Sequence, residues 1–469
     1  MELDPVFLSR IQFAFVISFH IIFPAFTIGL AAWLATIEGA RLATGNAIYR
    51  RVFDFWLKVF ALSFGMGVVT GIVMAFQFGT NWSVLAQKTG SIQGPLLGYE
   101  AFTAFILEAT FFGVMLLGRG RVSPGLYFFA CCMVSLGTMF SSFWILANNS
   151  WMQVPLGHTI IDGKIIPADW QAIVTGPIMR VRWPHMLLAA FLTTGMCVAA
   201  TGAWYVLRGV HHAEARVMLH WGLGLVAALI PIQLFFGHLT GLYVLAHQPA
   251  KFAAIEARWK TQQPASEVLL AIPDAAKERN LFAIEIPKLG SFIASGNWAA
   301  RETGLEAYPM DDRPPVLIPF FGFRIMVGMG LIMLAVSWVG NFLRLRGRLE
   351  TTRWFLWGTF LAFPTGFIAI LTGWFTAEVG RQPWVVYGLL RTRDAVTPSP
   401  STGDVLASLT GYILVYAVFV SFGVYYVYKL LLEGPTAEAE AIPGATGNRP
   451  MAYADTADTA TGSSLRSGA

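Results

Sequence analysis

Several ionisable side chains lie inside or at the ends of long apolar stretches of this sequence. A charged group in a membrane span costs at least about 2.5–3.5 kcal/mol, so such residues are rare and often mark functional sites. Any one of them alone is better explained as a hydrogen-bonded contact between helices, but their combined layout favours a shared chemistry. They are His20, Lys58, Glu100, Glu108, His185, His220, His238, Arg324 and Glu378.

His185 and Met326 carry the side chains of an axial ligand pair for one iron. His185 opens one apolar stretch and Met326 lies about two turns into another, which places both in the same half of the bilayer under the topology given below. An imidazole and a thioether together ligate low-spin electron-transfer hemes of raised potential. Met326 alone also fits a core position, because the chain has 16 methionines and this side chain fills irregular gaps.

His20 and Glu378 are candidate ligands for irons that react with oxygen. Each would be a single protein ligand, which leaves the other face of an iron open. Trp374 lies one helical turn before Glu378 and projects from the same face of its helix. Its ring could stand between two macrocycles, or it could be a tryptophan of the membrane interface.

Lys58, Glu108 and Glu100 form a candidate proton path. Glu100 and Glu108 are eight residues apart on one predicted helix, which corresponds to a rise of about 12 Å and an angular offset of about 80°. Carboxylates that share a side of a membrane helix indicate a proton relay, with Lys58 at its start. The alternative is a structural ion pair that involves Lys58.

The elements that must position these residues are membrane helices. The chain has 469 residues, of which 55% are hydrophobic and 13% charged, about half the usual charged fraction of soluble domains. A helix of about 20 apolar residues spans a bilayer, and nine stretches qualify. This predicts an all-α polytopic protein with spans near 11–37, 53–78, 95–118, 124–147, 184–208, 217–246, 316–343, 354–378 and 405–432.

The spans divide the chain into four parts. Six helices occupy 1–246, a long hydrophilic loop occupies 247–315, and three helices occupy 316–433. A second hydrophilic connection covers about 148–183. The Ala-, Thr-, Gly- and Ser-rich segment 434–469 is predicted to be a disordered cytoplasmic tail.

Basic loops orient the chain in the membrane. Cytoplasmic loops are enriched in Lys and Arg, and the bias here, although moderate, places the N-terminus outside, the C-terminus inside and both long loops outside. The net charge of +5 is explained by these loops, so no nucleic-acid partner is expected. The loop arginines assigned to the inside are Arg41, Arg50, Arg51, Arg119, Arg121, Arg208, Arg216, Arg344, Arg346, Arg348 and Arg353.

These residues stand in motifs that resemble the large subunit of cytochrome bd quinol oxidases over about residues 1–430. The motif at 373–384 is the most specific of them. The motifs are Ser9-Arg10-Ile11-Gln12-Phe13 with Phe19-His20; Gly65-Met66-Gly67-Val68; Phe76-Gln77-Phe78-Gly79-Thr80-Asn81-Trp82; Glu100 with Phe105-Ile106-Leu107-Glu108; Ala147-Asn148-Asn149-Ser150-Trp151-Met152-Gln153; Phe323-Arg324-Ile325-Met326-Val327; and Gly373-Trp374-Phe375-Thr376-Ala377-Glu378-Val379-Gly380-Arg381-Gln382-Pro383-Trp384.

The resemblance implies three hemes. His185 and Met326 correspond to the axial ligands of a low-spin heme b, and Trp374 to a tryptophan between hemes. His20 and Glu378 correspond to the ligands of two high-spin hemes, a heme b and the oxygen-binding heme d. Which ligand serves which heme is left open.

The resemblance also implies contacts at the edge of the hemes and a quinol site. Arg324 and Arg381 match arginines near heme carboxylates, for which a bidentate cation is suited. Lys251 and Glu256 match a quinol-site pair at the start of the 247–315 loop.

The implied protein is an electrogenic quinol:O2 oxidoreductase of the bacterial cytoplasmic membrane. Quinol, expected to be ubiquinol, is oxidised outside, and protons for water arrive from inside through the Lys58, Glu108 and Glu100 path. The implied partners are a second membrane subunit, subunit II, and a small single-helix subunit.

Two departures affect the cofactor set. The 247–315 loop is short, as in the short-loop branch of the family. The sixth span reads Phe236-Gly237-His238-Leu239-Thr240-Gly241, where many relatives have Gly-Asp. This resembles the cyanide-insensitive oxidases, so the third heme is expected to be heme d or a further heme b in its place.

Two other classes of protein remain as alternatives. A polytopic transporter would use buried ionisable residues to bind its substrate, although no internal repeat supports one. A heme-copper oxidase needs several clustered histidines for copper. The chain has eight histidines and two of them, His211 and His212, lie in a loop, so that class is not favoured.

Overall fold

The computed structural model describes residues 4–435. Within that range nine helical segments are long and apolar enough to cross a membrane, which confirms the predicted all-α polytopic fold. All but the first two residues of the predicted disordered tail, 434–469, lie outside the described residues.

The helices run as an up-and-down bundle. In chain order they are α1 (Pro5–Thr44), α2 (Ala47–Thr80), α3 (Ser83–Thr103), α4 (Thr110–Leu117), α5 (Pro124–Gln153), α6 (Trp170–Val174), α7 (Met179–Arg208), α8 (His212–His247), α9 (Pro249–Ile255), α10 (Leu289–Ser295), α11 (Leu317–Leu345), α12 (Arg353–Leu361), α13 (Thr365–Val379) and α14 (Thr402–Glu433). The side of the bundle that carries the connection between α8 and α11 is called the loop side below.

Several helices extend beyond their predicted spans. Their ends are set by polar capping residues and not by the ends of the apolar stretches. The Asp4 carboxylate accepts the backbone N–H of Phe7 at 2.6 Å, and Pro5 follows as the first helical residue. At the start of α14, Ser401 and Asp404 form a reciprocal capping box, which satisfies backbone donors that the first turn leaves free.

Two predicted spans are interrupted. A π-helical segment, Ala104–Ala109, separates α3 from α4, and a turn that contains Pro364 separates α12 from α13. A single π-turn inside an α-helix is uncommon and is found mostly at functional sites. This one contains Glu108.

Helix α7 is the most enclosed span, since it packs against α1, α5, α8, α12 and α13. Helices α7 and α8 approach each other closely because each has a glycine that faces the backbone of the other. A Cβ at Gly202 would lie 2.5 Å from the Leu219 nitrogen, and one at Gly222 would lie 2.7 Å from the Ala199 nitrogen. Small residues at such positions let membrane helices approach closely.

On the side opposite the loop side, a buried carboxylate ties the first helices together. Glu38 is fully buried and pairs with Arg41 at 2.7 Å and Arg119 at 3.2 Å. Arg119 also reaches Asp54 at 3.4 Å and lies over the ring of Tyr127. These contacts fix α1, α2 and α5 relative to one another at this end.

Three short antiparallel hairpins lie in the loop-side connections. They are β1 (His158–Ile161) with β2 (Lys164–Pro167), β3 (Glu267–Asp274) with β4 (Arg279–Ile286), and β5 (Trp384–Val386) with β6 (Leu390–Arg391). The predicted 247–315 loop is therefore folded: α9, β3, β4 and α10 lie between α8 and α11.

Candidate functional site

Glu378 lies at the loop-side end of α13 in a set of hydrogen bonds. Its Oε1 accepts the Asn149 side-chain amide at 3.1 Å and the Gln153 side-chain amide at 3.0 Å. Its Oε2 pairs with Arg381 Nη2 at 2.5 Å. Two donors on one oxygen and a cation on the other fix the orientation of the carboxylate.

The surroundings of Glu378 hold more basic than acidic groups. Arg182, Lys251 and Arg381 all act on it electrostatically. Burial lowers the pKa of Lys251 well below its ordinary range, and Arg182 and Arg381 lower it further. Burial likewise lowers the pKa of Arg381. A buried excess of basic groups is costly without further anions, so this region suits additional carboxylates.

Arg381 has donors for such a carboxylate. It is 6% exposed, and among the described residues its Nε and Nη1 atoms have no hydrogen-bond partner. Nε and Nη1 lie on different edges of the guanidinium, so each can donate to a separate oxygen of a further acidic group. The predicted contact of Arg381 with a heme carboxylate therefore fits the geometry.

Arg324 is arranged differently. Its donors reach the carbonyl oxygens of Ile255, Phe320 and Val268 and the carboxylate of Glu256, the last at 3.2 Å. Every nitrogen of the guanidinium thus has an acceptor in the chain. The geometry does not support the predicted heme-carboxylate contact of Arg324, because all its donors are used to clamp the start of α11 to the loop.

His185 and Met326 each face a glycine on the neighbouring helix. A Cβ at Gly237 of α8 would lie 3.2 Å from His185 Cε1, and a Cβ at Gly373 of α13 would lie 2.9 Å from Met326 Sδ. Both ligand candidates are half-buried, in the loop-side halves of α7 and α11. The glycines leave room beside each side chain.

His20 shows the same arrangement on α1 and α2. A Cβ at Gly71 would lie 3.2 Å from His20 Cε1. The Thr70 hydroxyl lies 3.0 Å from the carbonyl oxygens of Met66 and Gly67, and His20 Nδ1 lies 3.0 Å from that hydroxyl. Because the hydroxyl has one proton and points it at a carbonyl, it accepts from Nδ1–H. The His20 Nε2 atom then carries the lone pair that a metal needs.

Trp374 lies between the helices that carry the ligand candidates. It packs against a buried cluster that contains Ile21, next to His20 on α1, and against a second cluster that contains Met179 at the start of α7. The Arg182 guanidinium lies 5.7 Å from its centroid. This position agrees with an aromatic ring between two macrocycles, which stays a prediction.

The part of α7 that carries His185 retains accessible surface inside the bundle. Residues 182–189 of α7 are all half-buried, although α7 packs against five other helices. Accessible surface on an enclosed helix leaves space beside His185, and an imidazole with free space beside it fits a heme ligand. No cluster of three or more metal-ligating side chains occurs within residues 4–435, and heme iron, which needs one or two protein ligands, does not require one.

The two predicted relay carboxylates both face α5. Ser141 donates to Glu100 at 2.9 Å, and a Cβ at Gly137, one turn earlier on α5, would lie 2.8 Å from Glu108 Cγ. The π-helical turn adds one residue, so the offset of about 80° predicted for a regular helix falls to about 20°. Lys58, by contrast, has an exposed side chain on the outer surface of the bundle.

The predicted pair of Lys251 and Glu256 has separate partners. Lys251 Nζ donates to Gln153 Oε1 at 2.8 Å and to Gln248 Oε1 at 2.9 Å. Glu256 instead contacts Arg324, and Glu267 of β3 hydrogen-bonds to Glu256. The two residues are at opposite ends of α9 and face different groups.

Sequence reasoning missed several residues of this site. Gln153 and Asn149 lie in one of the family motifs, but their shared partner Glu378 is over 220 residues away in the sequence. Arg182 falls in the hydrophilic 148–183 connection, where a basic residue gives no signal of a buried role. Thr70 and Glu267 gave no signal, because only tertiary contacts bring them to His20 and Glu256.

Within residues 4–435, nine apolar helical segments surround half-buried histidine, methionine and glutamate side chains, which is typical of a polytopic heme-binding redox protein. Residues 8–435 match the family model for cytochrome bd terminal oxidase subunit I. The chain therefore belongs to that family and is a heme-binding terminal oxidase subunit of the membrane. This membership decides against the transporter and heme-copper alternatives.

Relatives match over nearly their whole length. Cytochrome bd ubiquinol oxidase subunit 1 of Bacillus subtilis is 33% identical over 91% of this chain and 93% of its own. Cytochrome bd-II ubiquinol oxidase subunit 1 of Escherichia coli is 32% identical over 92% and 98%. The bd oxidase structure from Geobacillus thermodenitrificans superposes with a TM-score of 0.85 at 27% identity, covering 92% of this chain and 99% of that one.

The glycine beside Met326 gives a first test of the site. Gly373→Ala is expected to displace the thioether and to lower the occupancy or midpoint potential of the low-spin heme, because the new methyl carbon would lie 2.9 Å from Sδ. Loss of heme affinity should be about tenfold. The reduced-minus-oxidised spectrum and a redox titration measure both quantities.

The matched control is Gly328→Ala on α11, whose added methyl group would meet nothing within 4 Å. It should leave the spectrum unchanged. Equal spectra and potentials for both variants and the parent protein would show that the close contact at Gly373 does not constrain Met326.

Proposed function

We infer that this chain oxidises quinol at its loop side, on the outer face of the membrane, and reduces O2 at a pair of high-spin hemes. The reaction builds a proton gradient without pumping. Family membership supports the quinol:O2 oxidoreductase class. The observation that carries the detail is the set of ligand candidates His20, His185 and Met326, each beside a glycine, together with the unused donors of buried Arg381.

His185 and Met326 would hold a low-spin heme b, while His20 and Glu378 would each hold one high-spin heme. One of these is a heme b and the other a heme d or a further heme b. When bound, the hemes supply electron transfer from quinol to O2 and the open iron position at which O2 is reduced. Arg381 would bind a heme carboxylate.

The carboxyl pair Glu256 and Glu267 would accept protons from quinol. Both are largely buried at the loop side, with Arg324 3.2 Å from Glu256 and 3.8 Å from Glu267. Burial, together with the charge and hydrogen bond of Glu256, raises the pKa of Glu267 to about 8, although Arg324 and Arg258 act in the opposite direction. Two carboxyl groups beside one clamping arginine can pass a proton to the outer water.

A groove suited to an apolar ligand opens on the same side. It has a volume of about 450 Å³ and is lined by His238 and Leu242 of α8 and by residues 292–296 around the end of α10. The Phe292 ring stacks on Trp298 at 4.3 Å beside it. We assign this groove to the quinol, expected to be ubiquinol, with Lys251 acting from deeper in the protein.

Protons for water would come from the opposite side through Glu108 and Glu100. Ser141 holds the Glu100 carboxylate at 2.9 Å, and both glutamates face α5. Lys58 would lie at the entrance, where its exposed side chain can meet water or a partner subunit. Because electrons come from the outer face and protons from the inner face, each turnover separates charge across the membrane. Moving one elementary charge across 100 mV stores about 2.3 kcal/mol.

The assembly would contain subunit II and a small single-helix subunit in a bacterial cytoplasmic membrane. Exposed apolar faces such as Val69, Ile72 and Phe76 of α2 suit lipid or partner helices. The basic loops place the N-terminus outside and the C-terminus inside. Residues 1–246 and 316–433 would then form the membrane part, and 247–315 the outer quinol loop.

Met326→Leu and His185→Ala are each expected to remove the low-spin heme, because a single remaining ligand does not hold a six-coordinate iron. The chain should still insert in the membrane and retain both high-spin hemes. A pyridine hemochrome assay with the reduced-minus-oxidised spectrum measures this. An unchanged low-spin spectrum in both variants would refute the ligand assignment.

The pH dependence of quinol oxidation tests the carboxyl pair. A raised pKa near 8 means that Glu267 is protonated below that pH and becomes a charged proton acceptor above it. Turnover should therefore rise as pH increases through about 8, and Glu267→Gln should remove this rise and lower turnover about tenfold at high pH.

Glu285→Gln on β4 is the control, because Glu285 is exposed and opposes Val268 across the hairpin. It should keep the parent profile. The same rise with pH in Glu267→Gln, at full heme content, would remove Glu267 from the proton path.

Glu108→Leu tests the path from the opposite side. Turnover should fall by about 10²-fold or more, while quinol should still reduce the low-spin heme at the parent rate, because Glu108 lies far from the loop side. Rapid-mixing spectroscopy separates the two steps once heme content has been measured. Parent turnover in a variant with full heme content would contradict the relay.

A further inference from the structure

Gln153 occupies a junction between three elements. It is the last residue of α5 and is 1% exposed. Its side-chain oxygen accepts from Lys251 Nζ at 2.8 Å and from Gln248 Nε2 at 3.2 Å. Its side-chain nitrogen donates to Glu378 Oε1 at 3.0 Å. One buried amide thus joins a basic residue of the quinol side to a candidate iron ligand.

The polarity of the amide matches both neighbours. An ammonium group only donates hydrogen bonds and a carboxylate only accepts them, whereas an amide does both at opposite ends. The oxygen of Gln153 must therefore face Lys251 and its nitrogen must face Glu378. The backbone carbonyl of Gln153 accepts a further bond from Gln248 at 2.7 Å, so the residue cannot turn its amide without breaking this set.

On Glu378, the bond from Gln153 controls which electron pairs remain free. Oε1 already accepts from Gln153 and Asn149, and Oε2 accepts from Arg381. The remaining acceptor capacity is therefore on Oε2. A lone pair of this oxygen is the one available to an iron. Hydrogen bonds to a metal-ligating carboxylate orient it and reduce the electron density it gives to the metal.

On Lys251, the same amide supplies one of two neutral acceptors. The other is Gln248 Oε1 at 2.9 Å. Glu378 favours the charged form of Lys251, whereas burial, Arg182 and Arg381 lower its pKa. A change in the protonation of Lys251 would therefore polarise the Gln153 amide and alter its donation to Glu378.

We propose that Gln153 is a positioning residue that orients the Glu378 carboxylate toward its iron and couples it to Lys251 on the quinol side. This rests on the proposed role of Glu378 as an iron ligand. Gln153 is neither a candidate iron ligand nor a residue of the groove assigned to quinol, so its effect must appear in the properties of the heme that Glu378 would hold.

The test compares two substitutions in the purified, heme-loaded complex. Gln153→Glu keeps the shape and the acceptor for Lys251 but removes the donor to Glu378, whereas Gln153→Leu removes both. Each should lower the midpoint potential of one high-spin heme, because the carboxylate then gives more electron density to the iron and stabilises its oxidised form. The high-spin ferric EPR signal should change, and turnover should fall about tenfold or more. The low-spin spectrum should stay unchanged.

Gln93→Leu is the control for loss of a buried amide. Gln93 lies on α3, is 3% exposed, and bonds to Thr89 and Met152 and not to Glu378. It should leave all heme potentials at parent values. Lys251→Met should shift the same high-spin heme, and its shift should be smaller in the Gln153→Leu background, since coupled residues have non-additive effects.

Glu378→Ala distinguishes failure of the ligand assignment of Glu378 from failure of the positioning role of Gln153. If it leaves the high-spin hemes unchanged, the ligand assignment fails and this proposal falls with it. If Glu378→Ala removes a high-spin heme but both Gln153 variants keep parent potentials and EPR signals, only the positioning role is overturned. Equal shifts of all hemes in the Gln153 and Gln93 variants would also overturn it, because they would indicate a general loss of packing.

Discussion

The arrangement of the loop side follows from the burial of charge around Glu378. A carboxylate and the basic groups of Arg182, Lys251 and Arg381 share an interior where an unpaired charge costs several kcal/mol. Hydrogen bonds from Asn149 and Gln153 complete the coordination of the carboxylate. Helices α5, α7, α9 and α13 must meet there, because each contributes at least one partner or lies directly before one. The excess of basic groups then makes the region suited to acidic cofactor edges.

The loop and the membrane part are connected through a second charged group. Arg324 holds the backbone of Ile255 and Val268 and the carboxylate of Glu256, and it lies two residues before Met326. The folded loop is therefore attached to the same helical turn that carries a ligand candidate. The proposed carboxyl pair for quinol protons and the proposed axial ligand Met326 therefore share one clamp, which would keep the two steps of quinol oxidation close together.

The sequence allowed prediction of the spans, the ligand candidates and the family, because apolar length and local motifs carry that information. Tertiary detail was less accessible. The sequence gives no sign of the π-helical turn that brings Glu108 into line with Glu100, and a regular helix was the natural expectation. Arg324 and Lys251 were assigned by resemblance, yet their partners, Glu256 with Val268 and Gln153 with Gln248, depend on how the loop folds back. Lys58 seemed interior because apolar residues surround it in sequence, but membrane helices are apolar on their outer faces too.

The glycines that face His20, His185 and Met326 have a consequence for the evolution of this chain. Each ligand candidate and its glycine lie on different helices, so a mutation that adds a methyl group on one helix removes space beside a side chain on another. A substitution at one position is therefore expected to require an adjustment at the other. Across descendants of this protein the two members of each pair should be inherited as a unit, and a change of ligand type should be accompanied by a compensating change in size at the paired position.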